Sequence, residues 1–211
     1  MPLSERAQAF LAAQRRRPAV PVAQVAAAIR ETGCDPYDVW LDFHERYAGY
    51  EEPLADDTAI YGIVHTDSYW INPGKARVKR GPDGKLYVTC AEVEGRYHFR
   101  LYQNGWFCSS GAGGPCETFD VNMEQHALLW EARETGRIWT FGLHKMPAGG
   151  LDALRSMVEA EPVVEASDRF SAFWKGRDVI WFEEIVGTNR LHVWAAKDTY
   201  ERIKTLLSDT E

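Results

Sequence analysis

The sequence predicts an α+β protein, with N-terminal helices, a central antiparallel sheet and a small C-terminal α/β extension. Three observations carry this. Apolar residues recur at helical spacing over the first fifty positions, and from about residue 58 the period becomes two. Asn104-Gly105 between two alternating apolar runs is a hairpin signal, which makes the neighbouring strands antiparallel. Residues 1–146 are expected to form the core, and 147–211 a smaller subdomain or an extension of the same domain.

Residues 4–17 read as a helix with Ser4 as its cap and Phe10 and Leu11 inward. Arg15, Arg16 and Arg17 end it, where the helix dipole favours positive charge. After Pro18, PVAQVAAAIRETG is a second helix stopped by Gly33. DPYDVWLDFHERY is a third. At about 100° per residue, Trp40, Phe43 and Tyr47 share one side, and Asp35, Asp38, Asp42 and Glu45 lie roughly 150° away. From residue 31 to 60 nine carboxylates face one arginine, Arg46, a net charge of about −8. The acid is local.

TAIYGIVH and SYWIN read as strands, and the basic stretch GKARVKR follows. The turn GPDGK opens the strand KLYVTCAEV, and RYHFRLY leads through the Asn-Gly turn into WFCSS. GAGGP is a loop, FDVNMEQHALLWEAR a helix, and GRIWTFGL a further strand. In the last part a short helix, LDALRSMVEA, precedes the strands FSAFW, VIWFEEI and RLHVWAA. The final helix has a capping-box start at Asp198 and Glu201.

The formal charge of −7 argues against general nucleic-acid binding, which needs cations to displace counterions from phosphates. It suits a cytosolic protein or the partner of a basic one. MPLSERAQAF lacks the apolar stretch of a secretory leader, and no run approaches the ~20 apolar residues of a membrane helix. Cys34, Cys90, Cys108 and Cys116 form no CxxC pair, so reduced thiols in a cytoplasm are expected.

The side chains offer three chemistries. Cys90, His98, Cys108, Cys116 and His126 suit zinc by type, but zinc ligands usually come in pairs two to five residues apart, and these do not. No metal is expected. Cys108-Ser109-Ser110 beside a glycine-rich loop resembles a nucleophile turn only loosely and lacks the GxSxG elbow. GAGGP lacks the Lys and Ser/Thr of a phosphate loop, and no cofactor is expected. Glu51/Glu52 and Asp56/Asp57 offer paired carboxylates, which need burial or a close neighbour to split their pKa values. Three readings of the acid stay open: a solvated surface, a catalytic pair, or a docking face.

Two stretches resemble the SUKH superfamily. In DPYDVWLDFHERYAGYEEP, Pro36 opens a helix carrying Phe43 and Tyr47 and closing at the Gly49 corner. In LYVTCAEVEGRYHFRLYQNGWFCSSGAGGPCETFDVNMEQHALLWEA, a strand with Cys90, Ala91 and Glu92 precedes a hairpin and the pair Gly105-Trp106. A helix begun by a Phe and containing Glu124 and Ala127 comes last. The likeness spans roughly residues 20–140. Ala48 stands where the family usually has Asn, and the last seventy or so residues extend past its common core.

The resemblance implies an α+β fold with helices packed mainly on one side of an antiparallel sheet. It also implies a non-enzymatic bacterial immunity protein of a polymorphic toxin system, used in interbacterial competition. Such a protein is an antitoxin that neutralises a cognate toxin, often a basic nuclease or another nucleic-acid- or nucleotide-directed enzyme, by binding it. With an acidic face beside aromatics, the expected toxin-binding residues are Asp38, Asp42 and Glu45 on the helix and Tyr50, Glu51, Glu52, Asp56 and Asp57 on the loop. The competing expectations are a hydrolase or transferase with an unidentified Cys, His or carboxylate site, and a regulatory adaptor of the same fold.

Overall fold

The structure, a computed structural model, describes residues 2–54, 58–66, 73–93, 98–110, 115–135, 137–142, 146, 149–186 and 190–208. It is mixed α+β, with six α-helices and three antiparallel sheets among the described residues. Two compact units are present, Leu11–Phe119 (the middle unit) and Met1–Phe10 with Asp120–Glu211 (the split unit).

The middle unit contains α2 (Val22–Arg30) and α3 (Asp38–Tyr47) and two sheets. A three-stranded sheet has the order β1 (Glu51–Pro53), β2 (Thr58–Tyr61), β5 (Ala91–Glu92). A five-stranded sheet has the order β3 (Val78–Arg80), β4 (Leu86–Thr89), β6 (His98–Tyr102), β7 (Phe107–Ser110), β8 (Pro115–Cys116). The expected strand SYWIN lies outside the described residues. The Asn-Gly hairpin joins β6 to β7, with Gly105 at φ +89° where a side chain would be strained.

Strand alternation sends Val88, Phe99, Leu101, Phe107 and Cys116 inward, all buried. They meet α3 through Phe119, whose ring lies 4.7 Å from Phe43, 4.6 Å from Tyr47 and 4.9 Å from both Tyr61 and Phe107. The Phe43, Tyr61 and Phe107 contacts are edge-to-face, worth about 0.5–1.5 kcal/mol each beyond burial, and the Tyr47 ring is tilted. Facing outward from the same strands are Lys79, Tyr87, Thr89, Arg100, Tyr102 and Cys108, each half-buried or exposed.

In the split unit, β9 (Arg137–Gly142) joins the sheet β10 (Glu161–Pro162), β11 (Ser171–Gly176), β12 (Val179–Glu184), β13 (Arg190–Ala195), in the order β10-β11-β12-β13-β9. The expected division at 146/147 therefore falls inside this sheet, since β9 pairs with β13 from Arg137↔Ala195 to Arg190↔Gly142. Odd-numbered residues of β12 and β13 (Val179, Trp181, Leu191, Val193) pack with Leu154 of α5 (Gly150–Met157) and Ile203 of α6 (Lys197–Ser208). On the opposite face, Phe173, Ile180 and Trp194 pack with Leu128 and Ala132 of α4 (Phe119–Thr135).

One helix end and one helix start differ from expectation. α1 (Glu5–Ala13) ends before the arginines, and α6 begins at Lys197, which leaves Asp198 in its first turn rather than at the cap. The Ser4 cap is present, its hydroxyl accepting from the Ala7 N–H at 3.2 Å. Glu124 of α4 is buried and accepts from the Ser4 N–H and hydroxyl, both at 2.6 Å, and from Arg6 at 3.1 Å.

Candidate acidic docking face

The third helix forms where its two-sided pattern places it. Trp40, Phe43 and Tyr47 are 0–2 % exposed, and burying each contributes about 1.5–3 kcal/mol. Asp35, just before α3, and Asp38, Asp42 and Glu45 on it are exposed. Asp38 in the first turn is favoured by the helix dipole. Asp42 pairs with Arg46 at 3.3 Å across one helical turn, and Arg46 also lies over the Tyr47 ring and donates to its hydroxyl at 2.8 Å. An exposed i,i+4 pair holds only a few tenths of a kcal/mol, so the face keeps its acidic character.

The arginine triplet does not end a helix. It runs extended beside the end of α3, bridging Arg16 to Tyr50, with the Arg17 N–H donating to Gly49 O at 2.8 Å and the Glu51 N–H to Arg15 O at 2.9 Å. Arg16 donates to the carbonyls of Ala48 (3.1 Å), Glu45 and Arg46 (3.3 Å each), satisfying the orphan acceptors at the helix C-terminus. Its guanidinium covers the Tyr50 ring at 4.6 Å. Gly49 makes the close approach possible: its φ is +86°, and a Cβ there would run into the Arg17 carbonyl.

The remaining expected docking residues fare differently. Glu51 and Glu52 lie on β1, not on a loop. Arg17 pairs closely with Glu51, and Arg15 reaches it at 3.7 Å. Glu52 is buried and accepts from the Tyr61 hydroxyl, which removes it from any docking set. Tyr50 is half-buried under Arg16. Asp56 and Asp57 lie outside the described residues. Asp38, Asp42 and Glu45 share the outer face of α3, and Asp35 is exposed three residues before it.

Sequence reasoning missed a buried polar corner. His44, on the inner side of α3, accepts the Ile63 N–H at Nδ1 (3.1 Å) and donates from Nε2 to Val20 O (2.9 Å). That pair of bonds requires the neutral ring, and burial pushes its pKa down, with His65 adding to the effect. His65 Nε2 donates to Gly62 O at 3.1 Å, while its Nδ1 lies 3.9 Å from Glu92. Arg17, Tyr61, His65 and Glu92 help line a cavity of ≈ 20 Å³, room for one water. The signal available was polar residues standing at inward positions of period-two segments, as Glu52 and Glu92 do.

The chemical candidates are placed as follows. Burial pushes the Cys108 thiol up against the opposing pull of Arg100, and the Cys90 thiol well up, the reverse of an activated thiolate. Ser109 is buried on the inner side of its strand. Among the described residues no three His, Cys, Asp or Glu are grouped to hold a metal, and no helix is long and apolar enough to cross a membrane. Comparison with protein-family models, with curated proteins and with solved structures returns no match.

Proposed function

We propose that this chain is a binding protein that neutralises a basic protein toxin, in the manner of the SUKH immunity proteins its sequence resembles. The observation that carries the reading is the outer face of α3. Four exposed carboxylates (Asp35, Asp38, Asp42, Glu45) stand on or beside a helix whose other side is locked into the core. Such a face is rigid before the partner arrives, so little ordering entropy is lost on docking. Its charge speeds the encounter with a cationic partner and weakens as salt rises. Carboxylates on a fixed helix can also occupy the phosphate sites of a nuclease cleft.

The test is co-expression with the product of the neighbouring gene, followed by co-purification and a growth assay. A complex that restores growth, and that Asp38→Lys with Asp42→Lys abolishes while the variant stays folded, supports the proposal. No complex and no protection overturns it. Glu51→Lys is expected to act by loosening the arginine strap, seen as lower stability rather than as a change in docking alone.

A further inference from the structure

We propose that the outer face of the β3-β4-β6-β7-β8 sheet binds single-stranded nucleic acid. Strand register sets Lys79, Tyr87 and Tyr102 side by side in one row, and the hairpin continues it to Trp106, whose carbonyl accepts from the Tyr102 N–H at 2.8 Å. Three aromatic side chains thus stand on neighbouring strands, at the roughly 4.8 Å spacing of a sheet. Tyr87 and Tyr102 are 5.3 Å apart, and all three rings are half-exposed.

Cations are interleaved with the rings. Arg100, from the adjacent row, lies 5.2 Å over Tyr87, and Lys85 lies 4.3 Å over Trp106. Arg77 and Lys79 are exposed along the edge strand on the same side as Tyr87. One carboxylate near this side, Asp83, sits in the β3–β4 turn and is held by Lys85 at 2.9 Å. The chain's −7 is an average that conceals this, because the acid is gathered between residues 31 and 60.

Rings that offer flat faces, with guanidinium and ammonium groups between them, match what a single strand presents: stackable bases joined by phosphates. An acidic protein segment would use the cations but has no need of an aromatic row. A duplex hides its base faces. The observations therefore favour the single strand, and the other two occupants become outcomes of the test.

The experiment is fluorescence anisotropy of the full chain with labelled oligo-dT and oligo-rU of roughly ten nucleotides. Saturable binding is expected at ~50 mM salt, weakening about 10- to 20-fold by ~200 mM if three phosphates are neutralised. Tyr87→Ala and Tyr102→Ala should each weaken it about tenfold, with Tyr→Phe restoring it. Lys79→Glu with Arg100→Glu should abolish it, whereas Asp38→Lys with Asp42→Lys should not weaken it. No binding at ~50 mM salt overturns the proposal. So does binding that survives both Tyr→Ala changes, equal affinity for duplex, or equal affinity for a poly-glutamate peptide.

Discussion

The two five-stranded sheets share a strand count and an antiparallel ladder but differ in cover. The split unit's sheet is packed on both faces, by Leu154 and Ile203 on one side and by Leu128 and Ala132 on the other. The middle unit's sheet buries its inner face against the ring cluster around Phe119 and leaves Tyr87, Arg100 and Tyr102 half-exposed on the outer one. A strand buried on both faces has nearly every position committed to packing, whereas a half-covered one leaves alternate positions for recognition. The outer face of α3 follows the same logic in a helix.

This contrast can be tested. Trp181 is fully buried in the split unit's sheet, so Trp181→Ala should lose about 3–5 kcal/mol in chemical denaturation. A loss under ~1 kcal/mol would mean that the two-sided packing is not what holds this sheet. Next in size, Gly49→Ala should cost about 1–3 kcal/mol through its left-handed backbone and the Arg17 carbonyl. It should also release Arg16 and Arg17, which shows as faster amide exchange at Arg17 and Glu51, whose N–H groups donate to Gly49 O and Arg15 O.

The buried corner adds a pH dependence. His44 binds a proton less readily folded than unfolded, so its contribution is intact above the unfolded value of about 6.5 and is lost as pH falls below it. The urea midpoint should therefore drop between about pH 7.5 and 5.5, and His44→Asn should flatten that part of the curve. An unchanged slope in the variant would remove His44 as the cause. The smallest effect belongs to the open sheet face, where Tyr87→Thr should change stability by less than about 1 kcal/mol. A larger loss would mean that the face is structural.

Much of this was legible from local pattern. The two sides of α3, the Asn-Gly hairpin and the alternation of VIWFEEI and RLHVWAA each depend on residues a few positions apart. What stayed hidden depends on distant pairs. Arg17 and Glu51 are 34 residues apart and Ser4 and Glu124 are 120 apart, and no periodicity reports such meetings. So the triplet looked like a helix end and Glu51 like a free acid. Glu52 read as surface charge because burial of a carboxylate depends on what the fold brings over it. The place of β9 was hidden for the same reason, since its ladder partner β13 comes some fifty residues later.

The nested order of the two units bears on how the protein is made. Residues 11–119 hold all the contacts of the middle unit, so that unit can close while the ribosome is still reading the rest. The first ten residues belong to the other unit, and Ser4 and Arg6 have no Glu124 to bind until α4 emerges. At about 5–20 residues per second, making the 17 residues of α4 takes roughly 1–3 s. For that interval the first ten residues wait beside a segment that has already folded, able to dock only once α4 is made.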